Sequence, residues 1–206
     1  MTAVAVAPVV LGCCPVAPRC LLCAPPRPAP DPGAVAALVE RHRQAEPPFR
    51  VGFYGGPAPS DALLDAIDGV PFVARVRPDL LTRAELDRLA ARGAIGIELD
   101  ALTFGDAALV AVRRHHRAKV VLEQIEGIRD RGLRVGVVLA PGLPGTSHAT
   151  AVDDAHIAAA RVQFVRIHPV LVLDGSGLHR AHLEGCLLYT SPSPRDRTRS
   201  RMPSSA

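Results

Sequence analysis

Lysine is almost missing from this chain: Lys119 is the only one in 206 residues, and basic charge rests on arginine. With alanine and proline abundant, that bias reads as the imprint of a GC-rich coding sequence, so the arginine count alone carries no functional weight. No apolar run reaches the ~18 residues of a membrane helix, so no membrane partner is expected. The opening MTAVAVAPVVLG lacks a basic stretch ahead of its apolar residues and runs straight into cysteines. That argues against a secretory signal and leaves the cytoplasm as the expected location. What the chain does have is 48% apolar residues, enough for one globular domain with a sizeable core.

The text changes character at Cys186. From there Ser, Pro and Arg replace apolar periodicity, as in a disordered basic tail. CLLYTSPSPRD (186–196) and SRMPSSA (200–206) resemble one reading frame of a transposon-library sequencing adapter, in the order the adapter has them. Residues 186–206 are therefore expected to be a non-native disordered tail, and 1–185 the genuine domain, truncated at its C-terminus. Arg195, Arg197, Arg199 and Arg201 against Asp196 account for most of the formal +4, leaving residues 1–185 near neutral. A strong nucleic-acid surface is not expected of that part.

Residues 1–185 alternate apolar, β-branched runs with amphipathic stretches. Strands are expected at 4–11, 50–54, 70–76, 95–99, 133–140 and 162–173. Helices are expected at 33–45, at 61–67 capped by Ser60, and from a Thr82–Glu85 capping box to Gly93. Two more are expected, one over 106–131 broken near His115 and ending at Gly132, and one near 149–160. Strands apolar along their length, each followed by a helix, imply a parallel α/β sheet covered on both faces, a partial (β/α)6 TIM-barrel-like core. Ligands of such folds sit at the C-terminal strand ends, where the cysteines, Gly55-Gly56 and the loop 141–145 fall.

Cys13, Cys14, Cys20 and Cys23 crowd into one proline-flanked loop after the first strand, and residues 24–185 contain no other cysteine. A cytosolic disulfide is disfavoured. Four thiolates suit zinc, but adjacent cysteines do not easily reach one metal and a second C-x2-C pair is missing. A three-thiolate iron–sulfur cluster with one open iron fits the loop better. Buried, unligated cysteines are the structural alternative. Adjacent His115 and His116 face different ways on a helix, and His168 reads as a polar group of the barrel interior.

Further segments, in order along the chain, resemble the radical S-adenosylmethionine (SAM) superfamily, most of all its elongator-catalytic-subunit-like branch. They are FYGGPAPS (53–60), RPDLLTRAELDRLAARGAIGIELDALTFGD (77–106), RRHHR (113–117), GLRVGVVLAPGLPGTS (132–147) and VRIHPVLVLDGSGLHRAH (165–182). The resemblance implies a [4Fe–4S] cluster on Cys20, Cys23 and Cys14, with Cys13 the alternative first ligand. It implies SAM on the open iron, with Gly55 and Gly56 admitting it close to the backbone, and Arg77, Glu98 and Arg114 as polar contacts. It implies reductive cleavage of SAM to a 5′-deoxyadenosyl radical, a flavodoxin- or ferredoxin-like reductant, and a substrate that in elongator-like proteins is tRNA.

The chain departs from the pattern in its C-x5-C-x2-C spacing and at Leu22, Pro57, Leu102 and His115. Those departures define the alternative expectation: a non-catalytic, degenerate barrel or metal-binding module.

Overall fold

A computed structural model describes residues 5–11, 19–23, 28–45 and 48–185. Cys13, Cys14 and the tail 186–206 lie outside the described residues. Six parallel strands, β1 (Ala5–Val10), β2 (Phe49–Tyr54), β3 (Phe72–Val76), β4 (Ala94–Leu102), β5 (Arg134–Leu139) and β6 (Phe164–Ile167), pair in chain order and curl into a half-barrel. Helices α1 (Pro32–Gln44), α2 (Asp61–Ala66), α3 (Arg83–Ala91), α4 (Asp106–Ala111), α5 (Ala118–Arg129) and α6 (His148–Ala159) return the chain between strands, and α7 (Gly177–Leu183) follows β6. This is the expected α/β, partial TIM-barrel-like architecture.

Alternation explains the layers. Val51 and Phe53 of β2, Phe72, Ala74 and Val76 of β3, Ile97 and Leu99 of β4, and Val135 and Val137 of β5 are fully buried, in one core with Val39, Leu89, Val121 and Ile128 of the helices. Each such side chain contributes roughly 1.5–3 kcal/mol of transfer free energy. The intervening positions face the lumen. Arg75, Glu98, Gly136 and Phe164 form one hydrogen-bonded row across β3 to β6, and Gly52, Val73, Gly96 and Arg134 form another across β2 to β5.

Several boundaries depart from expectation for local reasons. β4 runs on to Leu102 past an irregularity after Leu99, so Glu98 lies in mid-strand rather than at its end. β6 stops at Ile167. Pro169 has no N–H for the ladder, and after His168 donates to the Leu139 carbonyl at 2.8 Å the chain leaves the sheet. Ser60 occupies the N-cap of α2 but makes no side-chain cap bond. Thr82 accepts from the Glu85 N–H at 3.1 Å, but the Glu85 carboxylate turns to Arg88, so only half the capping box forms. The break near His115 is borne out as the gap between α4 and α5.

Candidate functional site

The cysteine loop leaves the C-terminal end of β1 and is pinned from two sides. The Leu21 N–H donates to the Val112 carbonyl beyond α4 at 3.0 Å, and the Leu178 N–H at the start of α7 donates to the Leu21 carbonyl at 2.9 Å. Gly177 makes this approach feasible, because a Cβ there would stand 2.7 Å from Leu21 Cδ2 and 3.0 Å from its Cα. Beneath lies a second, smaller core of Leu102, Leu109, Val112, Leu143, Val170 and Leu178, against which Leu21 and Leu22 pack. The turn is closed by the Cys23 N–H donating to the Cys20 carbonyl at 3.2 Å, which sets the two sulfurs 3.3 Å apart. Cys20 is buried and Cys23 half-buried.

The charges around Cys20 favour its thiolate. A hydrogen bond from Cys23 lowers its pKa most; burial opposes it, and Arg114, the Leu22 N–H and Arg77 add to the lowering, leaving it at about 5. A thiol depressed on folding stabilises the fold fully above its unfolded value and not at all below its folded one. Stability of the metal-free protein should therefore climb between pH 5 and ~8.5. Thiolate absorbance should show one step near pH 5 that moves upward in Arg114→Gln. Absorbance without a step below pH 7 would contradict this assignment.

The other expected contacts divide between this turn and the lumen. Gly55, at the end of β2, has φ +119, and a Cβ there would stand 3.1 Å from the Leu11 carbonyl oxygen. Glycine thus serves both the backbone turn and the close passage of the cysteine loop's first residue. Gly56 follows it, half-buried. The Arg114 side chain is 4% exposed and ion-paired with Asp100, while its Nε is buried without a hydrogen-bond partner. Arg77, 2% exposed, is clamped by Asp79 at 3.0 and 2.5 Å. Burial would raise the Asp79 carboxyl, but His116 Nδ1 at 3.5 Å and the hydrogen-bonded Arg77 guanidinium outweigh it and hold it well below the ordinary carboxylate range. Glu98 is fully buried and accepts from Arg75 Nε at 2.9 Å and Arg166 Nε at 2.6 Å. The structure therefore gathers the C-x2-C pair, Arg114 and Arg77 around one thiolate, while Glu98 is committed to two lumen arginines.

Sequence reasoning passed over Arg75, Asp79, Asp100 and Arg166. Only Asp79 had a local signal, its place two residues after Arg77 in RPD. Leu102, where the resemblance expects glutamine, instead has φ +68 and is buried in the smaller core. That backbone is uncommon for leucine and lies at the functional end of the sheet.

The donor chemistry present fits a thiolate-ligated cluster: two sulfurs on a braced turn, one poised as thiolate, beside a buried guanidinium nitrogen with no partner. Among the described residues, no group of three or more His, Cys, Asp or Glu side chains forms a metal site. A third ligand would have to come from Cys13 or Cys14, outside those residues.

No protein-family model matches the chain. Over 118 residues it is 30% identical to a tRNA uridine(34) acetyltransferase of Dehalococcoides mccartyi, covering 53% of this chain and 25% of that protein. The same-named protein of Methanocaldococcus infernus is 26% identical over 120 residues, 56% of this chain and 22% of the relative. The chain thus spans about a quarter of the length of the curated relatives it matches. Among solved structures, an N-terminally deleted archaeal Elp3 from Methanocaldococcus infernus superposes with a TM-score of 0.64 at 21% identity, over 90% of this chain and 50% of that one. Coproporphyrinogen III oxidase from Escherichia coli, a radical SAM enzyme, superposes with 0.62 at 14% identity, over 96% and 50%. The chain therefore has the fold of radical SAM enzymes and, over about half its length, resembles Elp3-like tRNA uridine(34) acetyltransferases in sequence.

Proposed function

We propose that this chain is the radical SAM core of an elongator-like enzyme. Cys20, Cys23 and Cys14 (or Cys13) hold a [4Fe–4S] cluster, and SAM binds beside it. The observation that carries this reading is the braced C-x2-C turn at the C-terminal strand ends, with its sulfurs 3.3 Å apart and the Arg114 charge favouring the Cys20 thiolate. When bound, the reduced cluster supplies the electron that splits SAM into methionine and a 5′-deoxyadenosyl radical able to take a substrate hydrogen.

The chain's own residues do the rest. In this reading Gly55 and Gly56, which carry no side chain, would admit the SAM amino group to the backbone, and the Arg114 Nε–H, unpartnered among the described residues, would donate to an anionic group such as its carboxylate. Asp79, by clamping Arg77, fixes a positive charge near Cys20 that favours its thiolate. The Cys20 loop, buried against Leu109, Val112 and Leu178, limits water at the sulfurs. The names of the curated relatives support tRNA as the substrate. A flavodoxin- or ferredoxin-like protein is the corresponding electron donor.

The test is anaerobic reconstitution of the full chain with iron and sulfide, followed by dithionite and SAM, with nucleosides separated by chromatography. 5′-Deoxyadenosine and methionine in equal amounts are expected. A chain that takes up zinc alone, or a reducible cluster that leaves SAM intact, would contradict the reading and favour a non-catalytic metal-binding barrel.

A further inference from the structure

The opposite end of the lumen holds a second cavity, of about 230 Å³. Its lining comes mostly from the N-terminal halves of the strands, Arg50 and Gly52 of β2, Val73 of β3, Ile95 and Gly96 of β4, Arg134 and Phe164 at the starts of β5 and β6, and is roofed by Tyr54 and Arg166. The cysteine loop lies at the other strand ends. Between the two is a layer in which Glu98 joins Arg75 and Arg166, and both arginines stand over the Tyr54 ring, at 5.2 and 5.9 Å. The lower cavity is therefore separate from the proposed cluster and SAM site, and its ligand is independent of that reading.

Three features define what the cavity accepts. Glycines shape its walls: a Cβ at Gly52 would stand 2.7 Å from the Tyr54 hydroxyl oxygen, and one at Gly136 would stand 2.2 Å from the Phe164 ring. Only glycine lets these rings lie flat against the sheet. The charge is unbalanced. Among the described residues, the Arg50 and Arg134 side chains make no ion pair or hydrogen bond, and Arg134 is held 5.9 Å over the Phe164 ring. The only carboxylate joined to the third arginine, Arg166, is Glu98, whose oxygens are already shared with Arg75. Three guanidiniums at one apolar-walled cavity suit a dianion better than a single carboxylate, since each guanidinium donates in a fork that matches phosphate oxygens. The size then limits the body of the ligand. The volume falls below the roughly 300–1,000 Å³ of sites for drug-sized molecules, so there is room for one ring with one phosphate.

We propose that this N-terminal lumen cavity binds a small organic phosphate, its phosphate on Arg50, Arg134 and Arg166 and its apolar part against Val73, Ile95 and the edges of the Tyr54 and Phe164 rings. The probe is phenyl phosphate, titrated calorimetrically into the full chain at low salt, with inorganic phosphate and benzyl alcohol as comparisons. Saturable binding of phenyl phosphate is expected, weakened at least about tenfold in Arg50→Gln/Arg134→Gln. Because among the described residues neither guanidinium has an ion pair or hydrogen bond and Arg134 loses only its contact with the Phe164 ring, that variant should unfold close to the wild-type denaturant midpoint, so loss of binding is not loss of structure. No saturable heat with phenyl phosphate, or equal affinity in the double variant, would overturn the site. Inorganic phosphate binding as tightly as phenyl phosphate, or benzyl alcohol binding as tightly as either, would overturn the assigned ligand class.

Discussion

Replacing Cys20 by alanine is expected to abolish cluster retention, with iron and sulfide per chain falling at least about tenfold after anaerobic reconstitution, since loss of even an outer-shell partner costs a metal site about that much. Cys20 is the more buried of the pair and the one whose thiolate the surroundings favour, and among the described residues Cys23 is the only other thiol. The fold should survive. The loop is held by backbone bonds of Leu21 to Val112 and Leu178, and removing one sulfur from a buried site costs on the order of 1 kcal/mol. Circular dichroism and denaturant midpoint separate the two effects. Cys186→Ala should leave iron content unchanged, since the ligands proposed are Cys14 (or Cys13), Cys20 and Cys23. Comparing Cys13→Ala with Cys14→Ala identifies the first ligand: Cys14→Ala should lose the cluster and Cys13→Ala retain it. A Cys20→Ala protein that keeps its full iron and sulfide would overturn the ligand assignment.

The second large effect is on stability. Glu98→Ala should destabilise the protein by about 3 kcal/mol, read as a lower urea midpoint with an unchanged slope. The Glu98 carboxylate is fully buried, and its loss leaves Arg75, with 14% of its side chain exposed, without a counter-charge in the lumen. Arg166 is 44% exposed and recovers solvation, which places the loss at the lower end of the usual range for breaking a buried pair. Glu98→Gln, which keeps one acceptor and the packing, should cost roughly half as much. In a double-mutant cycle, Glu98→Ala should couple more strongly to Arg75→Ala than to Arg166→Ala, because only the first pair is buried on both sides. An unchanged urea midpoint in Glu98→Ala would show that the lumen arginines are solvated without it.

The half-barrel was legible because its signals are local. Val51, Phe53, Phe72, Ala74, Ile97 and Val135 recur on one face at strand spacing, and Thr82, Gly93 and Gly132 punctuate the returns. The end of β6 was not legible, since VQFVRIHPVLVL is apolar throughout and only Pro169 marks where the ladder stops. The C-x2-C turn was visible as spacing. Its bracing by Gly177 was not, because that contact joins residues more than 150 positions apart. Glu98 illustrates the remaining gap. The resemblance implied a SAM contact for it, and its arginine partners stand 23 and 68 positions away, brought in only by the curl of the sheet. Arg114 likewise has its counter-charge, Asp100, 14 positions away in the chain.

The central claim is that the Cys20–Cys23 turn carries a cluster with an iron open to SAM. Electron paramagnetic resonance of the anaerobically reconstituted, dithionite-reduced chain tests it most directly. A reduced-cluster signal is expected whose g-values shift when SAM is added, with the signal missing in Cys20→Ala. A signal that SAM leaves unmoved, or a chain that holds only diamagnetic zinc, would contradict the account.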